Sequence, residues 1–323
     1  METTPRTAGQ SVRHLPVNLF ASVMGIAGLA LAWRLAEPAY GASPAIGQIT
    51  GAAAVVVFIA LAAAYSTKLI RFPDAVRHEF RHPVAGNFFG TIGIGLLLLS
   101  AVLGAWNSTL QQAVWLIGVA ATLSLGFIMA ARLLGGGGGH AAAVPAWLIP
   151  GVAALDIVVT GATMPMAWAH DINVLAAAIG SVMAVVLFVM IFARLVQHEP
   201  LPAGMTPSLM VMIAPFEVGF LAYLNLRHEV DLFAALLFWF GLFLFAVLSV
   251  RVFRPSVPFG PAWWGISFPL AALANAALKY ADATGSPLLA WLAAALLAFL
   301  TVAIGVLAVR TVHSLVKGQL LVQ

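Results

Sequence analysis

The chain has 323 residues, 62% hydrophobic and only 8% charged, with a mean hydropathy of +1.02, which excludes a soluble domain of this length and defines a polytopic membrane protein. It has no cysteine, so disulfides and thiolate metal sites are ruled out. The net charge of +4 follows from membrane topology and gives no reason to expect nucleic acid as a partner.

Crossing roughly 30 Å of hydrocarbon takes about 20 apolar residues. Ten such windows follow one another at 15–35, 44–67, 84–104, 110–131, 145–166, 172–193, 207–226, 232–250, 262–280 and 288–309. The expected organisation is an all-α membrane domain over 15–312, with cytoplasmic tails at 1–14 and 313–323. The first apolar run, Leu15 to Trp33, is itself long enough to span, so the opening tail does not read as a cleavable signal. With a cytoplasmic N-terminus, twelve of the 15 Lys and Arg fall on the cytoplasmic side, leaving only Arg34, Arg227 and Lys279 for the other. This asymmetry obeys the positive-inside rule, and an even span count returns the C-terminus to the cytoplasm. The expected location is the plasma membrane, which in a bacterium is the inner membrane.

The loop from Lys68 to Pro83 contains His78-Glu79-Phe80-Arg81-His82, an H-E-x-x-H match. On a helix two histidines four apart can share a zinc ion, with the glutamate as general base. Pro83 ends any helix on the second histidine, and no third ligand accompanies the pair. A basic, lipid-facing loop is therefore expected, with no metal site and no cofactor, and a zinc hydrolase remains as a remote alternative. The glycines Gly135 to Gly139 lack a following Gly-Lys-Ser/Thr and read as a flexible cytoplasmic linker.

Proline is distributed unevenly along the spans. Pro150, Pro215 and Pro269 fall inside spans five, seven and nine, Pro16 opens span one, and span three is rich in glycine at Gly86, Gly90, Gly93 and Gly95. Even spans have no interior proline; Pro44 and Pro287 sit at the beginnings of two of them, where proline is harmless. A proline inside a span kinks the helix and frees a carbonyl, which protein or a water-filled cavity must satisfy. The pattern predicts five helical hairpins, with an inner ring of five odd helices and an outer ring of five even ones facing lipid.

Asp156 and Glu217 are expected near the midplane of spans five and seven, and intramembrane acids are functional candidates. They read either as a proton relay or gating pair, or as neutral acids donating to carbonyls freed by the nearby prolines. In span nine, Phe268, Ala272, Asn275 and Lys279 line up on one helix face. This stripe reads as the lining of a narrow path obstructed by Phe268, with Lys279 at its mouth, or as an ordinary helix contact of small residues.

The ninth-span sequence WWGISFPLAALANAALKYAD resembles that of the tellurite-resistance/dicarboxylate transporter family, which includes the plant guard-cell slow anion channels and their bacterial homologues. LPVNLFASVMGIAGLALAW, EFRHPVAGNFF, VPAWLIPGVA and TPSLMVMIAPFEVGF resemble the family too, so the likeness covers essentially the whole membrane region. It implies a homotrimer in which each subunit holds its own anion pore among five helical hairpins. It also implies that Phe268, immediately before Pro269, occludes that pore, and that Pro16, Pro150, Pro215 and Pro269 mark the bent inner helices. The resemblance carries no role over to Asp156 or Glu217. The expected ligands are small inorganic or organic anions; large, weakly hydrated ones such as nitrate or iodide should pass more readily than chloride or fluoride. A proton-coupled carrier of dicarboxylates or oxyanions is the alternative. In a channel, Glu217 must be protonated or turned between helices toward a donor, since a carboxylate facing the lumen would repel the permeant ion.

Overall fold

The computed structural model describes residues 11–136 and 143–318. The glycine linker beyond Gly136, and the ends of both expected tails, lie outside the described residues. Among the described residues there are eleven α-helices: α1 (Ala21–Tyr40), α2 (Pro44–Arg71), α3 (Pro73–Arg81), α4 (Gly90–Leu103), α5 (Ser108–Leu134), α6 (Leu148–Gly161), α7 (Ala169–Gln197), α8 (Ala214–Arg227), α9 (Leu232–Val252), α10 (Ser267–Thr284) and α11 (Pro287–Val316). No strand occurs among the described residues.

Among the described residues eight helical segments are long and apolar enough to cross a membrane: Val17–Tyr40, Pro44–Arg71, Ala85–Leu103, Ser108–Leu134, Ala169–Gln197, Ala203–Arg227, Leu232–Val252 and Pro287–Val316. Two of the ten expected windows fall outside this set. Pro145–Gly161 is apolar but shorter. In the ninth window, Asn275, Lys279 and a run of alanines dilute the hydropathy of Pro261–Thr284.

Local signals set the turns between helices. α1 and α10 end on Gly41 and Gly285 at φ of 66° and 61°, the left-handed conformation that glycine takes without strain. After each comes a serine N-cap and then a proline in the first helical turn: Ser43 and Pro44 start α2, and Ser286 and Pro287 start α11. Asn107 and Asp231 cap α5 and α9 by accepting from the amides of Leu110 and Ala234. The Tyr223 hydroxyl, donating to Asp231 at 2.6 Å, holds that carboxyl below the usual carboxylate range.

Burial separates the helices into two sets. The membrane-length window of Val17–Tyr40 is 72% buried and that of Pro44–Arg71 only 17%. All of α6 but Val159 is buried. α1, α4, α6, α8 and α10 touch in a closed cycle, α1 to α4 to α6 to α8 to α10 and back to α1. Each also packs on the helix that follows it, respectively α2, α5, α7, α9 and α11. Those outer helices expose residues such as Val56, Ile59, Val185, Val189, Phe243 and Val302, as lipid contact requires.

Every helix of the cycle begins with a 3₁₀ segment. These are Val17–Phe20, Ala85–Phe89, Pro145–Trp147, Ala203–Ile213 and Pro261–Ile266, and among the described residues no outer helix has one. The prolines expected as kinks within long α-helices lie at these junctions instead. Pro16 precedes the first 3₁₀ turn, Pro215 is the second residue of α8, and Pro150 and Pro269 are the third residues of α6 and α10. A proline in the first α-turn gives up an N–H that contributes little there, so the helix continues beyond it without a break. Gly90 takes the corresponding place in α4, and a Cβ on it would lie 3.3 Å from the Pro150 nitrogen.

Candidate functional site: an occluded axial cavity

The five junctions converge on one small cavity. Its walls include Ala21 and Met24 from α1, Thr91 and Ile94 from α4, Leu148 and Val152 from α6, Val211 and Ala214 from the α8 segment, and Phe268 and Pro269 from α10. The volume is about 20 Å³. A single water needs roughly 10–15 Å³, so the space admits about one water and no anion. The lining is hydrocarbon, and the Thr91 hydroxyl is spent on the Phe88 carbonyl at 2.6 Å. Hydrocarbon lining of this kind offers a water or an ion no polar partner. Phe268, 8% exposed, is the largest side chain that α10 brings to it, beside Trp264 from the preceding 3₁₀ segment and Phe88 from the one before α4.

The other residues of the ninth-span stripe lie elsewhere. Neither Ala272 nor Asn275 borders the cavity. Asn275 donates its amide to the Gly28 carbonyl at 2.9 Å and the Ala271 carbonyl at 2.8 Å, stapling α10 to α1. The same seam is built on small residues: Gly25 faces Ser267, and a Cβ on Gly28 would lie 2.6 Å from that of Ala271. The Gly25-x-x-Gly28 spacing in the first span was a readable signal for this close approach.

Lys279 reaches across to α8, donating to the Asn225 side-chain oxygen at 3.2 Å. The Asn225 amide in turn donates to the carbonyls of Val158 and Val159, near the C-terminal end of α6. At the corresponding end of α4, Arg34 donates to the carbonyls of Ala101 and Val102 at 3.0 and 2.7 Å. The last carbonyls of these two 14-residue helices are thus covered by donors from neighbouring helices. Sequence reasoning singled out Lys279 but missed Asn225.

The two buried acids do not pair with each other in any hydrogen bond, and both are essentially unexposed. Asp156 leaves Oδ2 without a partner, and Glu217 leaves both carboxyl oxygens without one among the described residues. Glu217 is absent from the cavity wall and points from α8 into the contact with α9, against Gly241. Of the expected arrangements, it takes the one between helices, but no donor meets it there.

The H-E-x-x-H residues have other engagements. α3 ends at Arg81 with His82 as its C-cap, where the chain turns extended. His82 Nδ1 accepts from the Val84 and Ala85 amides. Glu79 accepts from the Val17 amide and the Tyr65 hydroxyl, each at 2.8 Å, and pairs with Lys68 at 2.5 Å. This glutamate anchors the start of the first inner helix.

A closed cycle of buried helices around a small apolar cavity, wrapped by helices with apolar outer faces, defines a multi-span membrane protein. Comparison with known proteins gives its family. The family model described as SLAC1, voltage-dependent anion channel, matches residues 14–312, and the chain belongs to that family. It is 28% identical to a tellurite resistance protein TehA homolog of Haemophilus influenzae, over 94% of this chain and 92% of that one. It is also 28% identical to the S-type anion channel SLAH2 of Arabidopsis thaliana, over 83% of this chain, and 27% identical to the guard cell S-type anion channel SLAC1 of the same plant, over 84%. The chain spans about half the length of these plant relatives, 53% and 50% respectively. The family consists of anion channels and transporters rather than enzymes.

Proposed function

We propose that this protein is an anion channel of the plasma membrane, the inner membrane in a bacterium, with one pore per subunit closed by Phe268. Residues 15–312 form the channel domain, between cytoplasmic tails at 1–14 and 313–323. The chain crosses ten times as five hairpins, with Pro145–Gly161 and Pro261–Thr284 serving as spans because their partners shield them from lipid. Three such subunits associate through outer-helix surfaces. The observation that carries this reading is a cavity of about 20 Å³ to which all five inner helices contribute, with Phe268 in its wall.

Anion preference needs no charge at mid-depth. In a hairpin repeat the five inner helices run parallel, so their positive N-terminal dipole ends share the cytoplasmic side. At the opposite side the negative ends would repel anions, but Arg34 covers carbonyls of α4, and Asn225, itself held by Lys279, covers those of α6. Weak binding along such a path permits flux, and the cost of dehydration then ranks the anions. Current recording across a panel of anions tests this: nitrate and iodide should exceed chloride and fluoride, and an absence of anion current under all conditions would refute a channel.

The unpartnered carboxyls of Asp156 and Glu217 favour a second reading, a proton-coupled carrier of dicarboxylates or oxyanions. Small, pH-dependent flux that is lost in Glu217→Gln would select it over the channel.

A further inference from the structure

A second, much larger space lies on the outside of the helix cycle. α5 and α7 both pack on α6 but stand apart from each other, leaving a groove of about 740 Å³ floored by Pro150, Gly151 and Ala154. Its walls run from Thr122 to Leu134 on α5 and from Leu175 to Met190 on α7. At 1.5 Å per residue these stretches are about 18 and 22 Å long, slightly more than the ~15 Å of one leaflet's hydrocarbon. The volume falls in the range of roughly 300–1,000 Å³ that ligand pockets occupy.

Thr122 is the one polar side chain at the far end of the groove, and the positively charged side chains are confined to the other. Arg81, His82, Asn87 and Arg132 lie there, and no acidic residue lines any part of it. Arg132 is held in place, with its guanidinium 4.2 Å from the Phe80 ring centroid and one nitrogen donating to the Phe80 carbonyl at 2.9 Å. Apart from Thr122 the rest is apolar and open, as Phe127, 77% exposed, illustrates. The occupant that fits is an amphiphile with a phosphate-bearing anionic head and a hydrocarbon chain of leaflet length. Arginine matches a phosphodiester with its planar pair of N–H donors.

We propose that this groove binds one anionic glycerophospholipid, its phosphate at Arg81 and Arg132 and an acyl chain along Phe127, Ile179 and Met183. The chain would rest on the outer face of α6 at its 3₁₀-to-α junction, while Leu148, Ile149 and Val152 of the same helix line the axial cavity. A filled groove braces α6 and so tunes the barrier. This last step rests on the channel reading; the binding does not.

The test uses the purified full-length protein. Native mass spectrometry with phosphatidylglycerol and phosphatidylcholine should show one phosphatidylglycerol retained per chain in preference to phosphatidylcholine. Retention should fall about fivefold or more, about 1 kcal/mol, in Arg81→Gln and in Gly126→Trp, the second because Gly126 faces open space that an indole would fill. These variants avoid the Phe80 contact of Arg132, whose loss would confuse folding with binding. Equal retention of both lipids, or no effect of either substitution, would overturn the proposal. So would an intermolecular disulfide in Phe127→Cys, unambiguous in a chain without cysteine, because it would place a second copy over the groove. Anion flux in liposomes with and without phosphatidylglycerol is a separate readout, so selective binding without flux would count against the channel and not against the lipid site.

Discussion

The carboxyl of Glu217 faces Gly241 across the contact between α8 and α9, so closely that a methyl group at position 241 would overlap Oε1. Gly241→Ala must therefore displace a fully buried side chain, and overpacking of this kind costs about 1–3 kcal/mol. The melting temperature of the detergent-solubilised protein should fall. Glu217→Gln keeps the volume and lies off the path, so flux through a channel should change less than about threefold, since the isostere preserves hydrogen-bonding capacity. Flux measured against pH, with wild type beside mutant, checks this expectation.

Glu79 holds Lys68, whose side chain is only 4% exposed, together with the start of the first inner helix. Removing one partner of a buried ion pair costs about 3–5 kcal/mol. Glu79→Ala should be severely destabilised, while His78→Ala and His82→Ala should retain transport. A zinc hydrolase predicts the reverse ranking, with stoichiometric metal in the wild type lost from the histidine variants.

Lys279 and Asn225 bridge three inner helices at the end away from the proposed cytoplasmic side. Lys279→Met should lower anion flux severalfold at low salt and much less at high salt, because the Debye length shrinks from about 30 Å at 0.01 M to about 3 Å at 1 M. A loss that does not vary with ionic strength would assign Lys279 to helix packing.

One pore per subunit predicts that mixed trimers of wild-type and Phe268→Ala chains show independent conductance levels. Cooperative levels that depend on all three subunits would point to a shared central path.

The alternation of buried and lipid-facing helices was legible because proline and glycine concentrate in one set and continuous hydrocarbon in the other. The 3₁₀ junctions were not legible, since 3₁₀ and α segments have the same apolar composition and differ only in backbone pitch. The ninth-span stripe was read as one face, yet Asn275 turns to the α1 carbonyls and Lys279 to Asn225. Spacing along one helix reveals which residues share a direction, but the neighbouring helices decide what that direction meets. Glu79 shows the same limit: its partners at Val17 and Lys68 lie 62 and 11 residues away, while the local H-E-x-x-H pattern suggested zinc.

The central claim is that Phe268 closes the axial path, and the most direct measurement is anion flux through reconstituted Phe268→Ala beside wild type. Loss of the ring should enlarge the apolar cavity and raise nitrate and chloride flux about tenfold or more, equivalent to lowering the barrier by about 1.4 kcal/mol. Wild-type-like flux from a folded Phe268→Ala protein would contradict the gate.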